Sequence, residues 1–448
     1  MRERVILCLM LLLAVPGLAL PIYGPRAMAL GGAYVALADD ESSVYYNPAA
    51  MAAARDYFAV VPNFGIVSDD RITEAVDGFY AAKDDIYSSI PDQIIDADDL
   101  APFIDSLEAA HDYLADYEDG SAGVAGYLSY GGGVMLGPVA LSWIGTGDGQ
   151  VSFETDADTG RLVPSGLLND PFIVLALYQE EILNAEQLTT LWPTYPDPSG
   201  FVGDIEGNNV GLDDNRTLTR LANDARQDLV LTYADYLLRS DDDQWAVSAG
   251  VNLKYIITQA YRTTFTADDA ELGTTGPLWI TERLIGVQPV LGSTFSADLG
   301  LYAQLTDFFN LGLVGRDVIP RAINWDEPVV GAPERLEPHW RLGLAGHILP
   351  GLLSVAVDVD LQETAGVFSP QQDLSAGVRL TMPGDSFWAG GGVRYNLADE
   401  EQTPLFTLGG GFNIMGIRFD LALGLGIVDF SGELDTYFSA AAGVGFSM

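Results

Sequence analysis

The sequence predicts an all-β protein, a transmembrane antiparallel β-barrel of about 14 strands with two partly helical extracellular loops. Three observations predict it. Period-two alternation recurs in run after run, short connectors alternate with long ones, and no stretch beyond the N-terminal leader is apolar for long enough to span as a helix. In one run Leu353, Val355, Val357, Val359 and Leu361 face one way, and Ser354, Ala356, Asp358, Asp360 and Gln362 face the other. Leu374, Ala376, Val378 and Leu380 stand likewise against Ser375, Gly377, Arg379 and Thr381. Ile417, Phe419, Leu421 and Leu423 stand against Arg418, Asp420, Ala422 and Gly424. An oily outer face and a wet inner face on alternate residues is what a strand in a bilayer needs.

The N-terminus begins with Arg2 and Arg4, continues through an apolar stretch from Val5 to Val15, and reaches the small residues Gly17 and Ala19. That pattern reads as a secretory signal over residues 1–19, with the mature chain starting at Leu20. The single cysteine, Cys8, falls inside it, so the exported chain has no disulfide, redox or thiolate-metal chemistry. Residues 20–55 are rich in Gly and Ala and contain Asn-Pro turn chemistry. Such a small-residue segment fits as a plug inside a lumen about as wide as 14 strands allow.

Strands are expected near 56–67, 123–136, 138–153, 226–238, 244–261, 292–305 and 308–319. They continue near 338–348, 351–364, 372–382, 386–397, 404–414, 416–429 and 433–448, so that the barrel occupies residues 56–448. Tight connectors such as Gly137-Pro138, Pro350-Gly351 and Met415-Gly416 alternate with longer ones, the largest at 68–122 and 154–225. Short turns face the periplasm in such barrels, so the first strand runs outward and both ends of the chain lie on the periplasmic side. The last strand places Phe438, Ala440, Ala442, Val444 and Phe446 on one face, like a C-terminal assembly signal for the barrel-assembly machinery, although Met448 is terminal.

The two large loops carry helical patterns. Ile72, Val76, Phe79 and Ile86 recur at helical spacing, as do Leu100, Phe103, Ile104, Leu107 and Leu114. A third helix is expected over Pro171 to Leu183, opened by Asp170 and Pro171. Its residues Phe172, Ile173, Leu177 and Ile182 either pack into a lid or form an apolar groove that collects a hydrophobic ligand.

A net charge of −42 excludes nucleic acid as a partner. It keeps the surface soluble and repulsive, or lets acidic loops hold divalent cations. Many of the 49 glycines fall within strands, Gly390, Gly391 and Gly392 among them, where a close-packed lumen tolerates them. Alternation places Lys254, Asp298, Arg316, Arg341, Asp358, Asp360, Arg379, Arg394, Arg418 and Asp420 on the lumen face. Successive strands then offer opposite signs, and each cross-strand pair contributes about 0.2–1 kcal/mol. With only 21 Lys and Arg in the chain, these basic residues are expected to hold Asp39, Asp40 and Glu41, with Arg394 and Arg418 as the first anchors.

Residues Gly24 to Ala52 read GPRAMALGGAYVALADDESSVYYNPAAMA. This resembles the N-terminal segment of the FadL/TodX outer-membrane barrel superfamily and its PorV-like relatives. The shared elements are the Arg-Ala-Met start with its Gly-Gly-Ala, the acidic Asp39 and Asp40, and the triplet Asn47, Pro48, Ala49. The resemblance implies that the segment folds as a hatch within the barrel, with that triplet part of it. Asn252 to Tyr255, Ala297 to Gly300 and Gly312 to Pro320 resemble the branch of barrels called conjugal transfer protein TraF. The thioredoxin-like periplasmic protein that shares the name is unrelated to a chain without exported cysteines.

His111, His339 and His347 are the only histidines, and no nucleophile elbow, phosphate loop or HExxH motif is present. No enzyme activity, cofactor or metal is therefore expected. The resemblance implies transport of a hydrophobic or amphipathic small molecule across the outer membrane, by capture at the loop helices and passage of the hatch. The alternative is a PorV-like scaffold for a secreted or surface protein. Expected partners are outer-membrane lipid, the assembly machinery, and one of those two ligands.

Overall fold

The computed structural model describes residues 23–54, 57–68, 71–91, 97–117, 122–197, 199, 201–202, 215–241, 244–266, 289–329, 332–364, 370–398, 404–426 and 436–447. The expected signal over 1–19 lies outside the described residues, as do parts of several long connectors.

Alternation in the sequence becomes a ring of strands. They are β1 (Tyr57–Ser68), β2 (Ala122–Leu136), β3 (Val139–Glu154), β4 (Leu218–Arg239), β5 (Ala246–Thr266), β6 (Val290–Thr306) and β7 (Phe309–Arg316). After the two-residue β8 (Asn324–Trp325) come β9 (His339–Leu349), β10 (Leu353–Asp360), β11 (Asp373–Thr381), β12 (Phe387–Asn396), β13 (Leu405–Ile414), β14 (Ile417–Gly426) and β15 (Thr436–Ser447). Apart from β8, which pairs on β6, every strand pairs antiparallel with its neighbours in sequence, β7 with β9 included. β1 pairs with β15 and β5 with β6, so the strands form an unbroken fourteen-membered cycle. A cycle leaves no unpaired edge, the condition for a sheet in lipid.

The two faces sort as the alternation requires. Along β14, Phe419, Leu421 and Leu423 are exposed while Asp420 and Ala422 are buried, and β10, β11 and β13 follow the same rule. No helix among the described residues is long and apolar enough to cross a membrane. The turn between β13 and β14 shows how the short connections close: Met415 and Gly416 both take positive φ, 55° and 85°, matching the strand twist.

β4 starts at Leu218, earlier than the alternation from residue 226 indicates. Polar Arg220, Asn223 and Asp224 mask the pattern there, because a strand rising past the bilayer meets water on both faces. At this long-loop end stand α3 (Arg71–Ser89) and α4 (Ala101–Ala115) from the first large loop, and α5 (Pro171–Gln179) and α6 (Ala185–Leu191) from the second. They share one apolar core in which Phe103, Leu107 and Leu114 meet Val174, Leu177 and Leu191. Of the two expectations for these helices, this core fits the packed lid and not the ligand groove. Ile173, Leu177 and Ile182 are buried inside it, and Phe172 alone points outward. A long loop with apolar helix faces buries them against each other before it offers them to a ligand.

Within the ring lies an inner segment, Tyr23–Ala54, containing α1 (Pro25–Ala29), α2 (Ser43–Tyr46) and a 3₁₀ turn at Pro48–Ala53. Its apolar residues Met28, Leu30, Tyr34, Val35, Val44 and Met51 are almost fully buried against small lumen residues such as Ala345, Ala356, Ala422 and Ala441.

Candidate functional site: a lumen cavity above a pinned inner segment

The inner segment is fastened first by its backbone. Asn47 uses its whole amide: Nδ2 donates to Val35 O and Leu301 O at 3.2 and 3.0 Å, and Oδ1 accepts from Ala49 N at 3.1 Å. Pro48 follows at the first turn position, where its missing N–H costs nothing. Ala49 O accepts from Ser248 Oγ at 2.8 Å. The Asp358 carboxylate accepts from both Tyr34 N and Val35 N, at 2.7 and 2.8 Å. Asn252 donates to Val44 O at 2.8 Å, and Thr407 to Ala29 O at 3.1 Å.

Ion pairs fasten it second, at the short-turn end. Arg26 Nη2 meets Asp385 Oδ2 at 2.8 Å in the β11–β12 connection, with its guanidinium over Trp388. Arg379 holds Asp39 through two bonds of 2.7 and 3.1 Å. Arg418 grips both oxygens of Glu41 and also meets Asp420 Oδ2 at 2.6 Å. Asp40 turns inward on its own chain, accepting from Ser42 N and Oγ, with Arg26 and Arg418 each 3.8 Å away. The expectation for Arg394 is corrected: it pairs with Asp373 at 2.5 Å, because the register sets it across from β11. Arg379 takes the place assigned to it.

These pairs differ in strength. The Asp39 side chain keeps 46% of its surface, so its pair with Arg379 is screened and contributes about 0–1 kcal/mol. Arg379 and Arg26 nevertheless outweigh burial and hold its carboxyl well below the usual range. Glu41 is buried, and burial together with Asp40 pushes its carboxyl up to about 7, against the pull of Arg418. Replacing Arg418 by Ala is expected to weaken docking by about 2 kcal/mol, a loss limited because Glu41 takes up a proton. Arg394→Ala should leave the docking unchanged; limited proteolysis of the inner segment in both variants separates them.

The Glu41 shift also fixes a pH dependence. The docked carboxyl binds its proton more tightly than the ordinary value of 4.5, so docking is strongest near or below that value and weakens as the pH rises toward 7. Asp39, shifted downward, loses its contribution only below the ordinary aspartate range, outside this window. Hydrogen-exchange protection factors of the Val35–Tyr46 amides are expected to fall several-fold between about pH 5 and 8, and to stay level in Glu41→Gln.

Above the segment, toward the long-loop end, the lumen encloses a cavity of about 820 Å³. Val44 and Tyr45 line it from the inner segment; Ile144, Val230, Ile256, Ile323 and Leu336 supply apolar wall. A charged girdle crosses it. Lys254 Nζ lies 2.6 Å from both Asp298 Oδ1 and Asp317 Oδ1, and Arg226 makes paired bonds to Asp228 and to Asp317. Asn252 ties the girdle to the inner segment by donating to Asp298 as well as to Val44 O. Lys254 and Asp298 thus pair as the alternation indicates, whereas Arg316, the next expected partner, stacks on Tyr45 at 4.0 Å. A third group joins Arg341 and His339 to Asp360, with Asp373 bridging Arg341 and Arg394.

Arg226, Asp228, Asp317 and Tyr45 have no counterpart among the sequence-based candidates. Asp317 turns into the lumen directly after Arg316 because its φ is 48°, a break in alternation that no period-two reading can follow. Arg226 and Asp228 lie at the start of the strand expected from residue 226, on the same face as Val230 and Thr232, so alternation could have found them; Tyr45 belongs to the inner segment.

A family model described as F plasmid transfer operon, TraF, protein matches residues 44–360, more than half of the chain. The chain belongs to this TraF family. The match begins inside the inner segment and covers the whole girdle, including the stretches from Asn252, Ala297 and Gly312. Among solved structures, this TraF-family chain is similar to the toluene transporter TbuX of Ralstonia pickettii, at 12% identity and a TM-score of 0.47, over 95% of this chain and 98% of that one. It is also similar to the toluene transporter TodX of P. putida, at 12% identity and a TM-score of 0.43, over 96% and 99%. A FadL homologue of Pseudomonas aeruginosa gives 11% identity and a TM-score of 0.41, over 97% and 100%. No curated protein matches the chain.

Proposed function

We propose that this TraF-family barrel sits in the bacterial outer membrane and passes a hydrophobic or amphipathic small molecule through its lumen, with the inner segment as the hatch. The observation that carries the reading is the cavity of about 820 Å³ resting on the inner segment, where apolar side chains such as Val44, Ile144, Val230 and Ile256 stand beside a girdle of paired charges. That size is in the range of small-molecule sites, and a wall that is apolar on one part and charged on another suits an amphipathic one. Passage requires the hatch to yield on the short-turn side, where Glu41, Asp39 and the Asn47-Pro48-Ala49 turn hold it. The reading involves no catalysed step.

Ile256 is fully buried, and its side chain forms part of the cavity wall. Ile256→Trp is expected to fill the cavity and slow uptake of a radiolabelled apolar solute by cells producing the barrel, at equal barrel level in the membrane. Equal uptake by the two forms would overturn the reading.

A further inference from the structure

The second large loop carries an exposed aromatic patch beside charge in an unfavourable place. Tyr178, near the end of α5, lies 6.4 Å from Tyr195, and Trp192, just after α6, meets Tyr195 at 5.2 Å and Phe201 at 5.3 Å. Tyr195 and Val202 are exposed, while Trp192 is buried. The turn that presents Tyr195 is fixed: Tyr195 N donates to Trp192 O, Trp192 Nε1 to Asp197 O, and Ser199 N and Oγ to Asp197 Oδ1. Glu180 and Glu181 follow α5 directly, both exposed, at the helix end where the backbone carbonyls favour cations. Glu181 also holds a φ of 64°, at the position after a helix where glycine is at ease and a side chain is strained. Among the described residues neither glutamate has an ion-pair partner. From Leu162 to Asn215 the sequence has nine Asp and Glu and no Lys, Arg or His, so no cation of that stretch answers them. Strain and unfavourable charge kept together beside exposed rings point to a binding role.

We propose that this patch docks an arginine-bearing segment of a partner protein on the long-loop side, the guanidinium stacking on Tyr195 while Glu180 and Glu181 supply the counter-charge. Arginine suits both halves of the patch, because its planar group stacks on an aromatic face and forks onto carboxylates, which a lysine ammonium does less well. Tyr, Trp and Arg are also the side chains that carry most of the energy at protein interfaces. The patch is separate from the lumen cavity, which no residue of the loop helices lines.

The test is equilibrium titration of the full chain, in nanodiscs of phosphatidylcholine, with hexa-arginine and hexa-lysine peptides blocked at both ends, in salt that screens long-range attraction. Hexa-arginine is expected to bind roughly fivefold or more tightly than hexa-lysine at equal charge. Tyr195→Ser should bring it to the level of hexa-lysine, whereas Tyr87→Ser, at an exposed tyrosine of α3, should leave the preference intact. The double change Glu180→Gln with Glu181→Gly should weaken hexa-arginine several-fold, yet slow hydrogen exchange over residues 171–183 of the free chain by relieving the strain. Equal binding of the two peptides to the unaltered chain would mean plain charge attraction and would overturn the inference. So would an arginine preference that survives Tyr195→Ser, one lost equally in Tyr87→Ser, full binding in the double variant, or no binding at all. The comparison of peptides on the unaltered chain decides the matter even if a variant fails to fold.

Discussion

Replacing Lys254 by Met is expected to destabilise the barrel by about 3–5 kcal/mol, the loss that follows when one partner of a buried ion cluster is removed. Lys254 is 95% buried in its side chain and meets Asp298 and Asp317 at 2.6 Å, with Asp228 at 4.0 Å. Without it Asp228 and Asp317 are left with Arg226, and Asp298 with the Asn252 amide and the Asp317 N–H. The magnitude reflects uncompensated charge, not the worth of the pair. Changing Lys254 to Met and Asp298 to Leu together should therefore cost much less than the sum of the single changes. Urea midpoints of the three variants in detergent give the cycle. A Lys254→Met barrel as stable as the parent would show that the girdle is solvated and contributes little.

Gly392→Val is expected to expel the inner segment, at a cost of about 3 kcal/mol or more, because the obstacle is backbone and cannot rotate away. A Cβ at Gly392 would lie 2.2 Å from Leu30 C and 2.5 Å from Gly31 N. The approach is close from both sides, since Gly31 takes a φ of +66° and a Cβ there would meet Val393 O at 2.6 Å. Gly391 is the control on the same strand. A Cβ there would meet nothing nearer than Thr407 O at 3.6 Å, so Gly391→Ala should keep the segment docked. Faster proteolysis of residues 23–54, with the barrel still heat-modifiable on gels, is the expected result for Gly392→Val. A protected segment would mean that it does not pack against β12.

The lumen charges and these glycines show how far the sequence could be read. Period-two alternation identified the inward face of nearly every strand, because a bilayer punishes the wrong face at each position. Lys254, Asp358, Arg379 and Arg418 could therefore be placed in the lumen from spacing alone. Partner choice could not, since it depends on the stagger between strands, which spacing within a strand does not carry. Thus Arg394 faces Asp373 while Arg379, not singled out as an anchor, reaches Asp39. The loop helices were legible as helices, but amphipathic spacing does not say what covers an apolar face. Ile173, Leu177 and Ile182 turned out to share a core with helix residues of the first large loop. The cavity was the least legible feature, for Asp317 enters it at a positive φ and Tyr45 comes from a distant part of the chain.

Native mass spectrometry of the detergent-purified full chain, with organic extraction of whatever leaves it, tests most directly whether the cavity above the inner segment is a ligand site. The expected result is one defined hydrophobic or amphipathic species at about one per barrel, lost in Ile256→Trp. An empty barrel that retains a protein partner would contradict transport and favour a scaffold held through the loops.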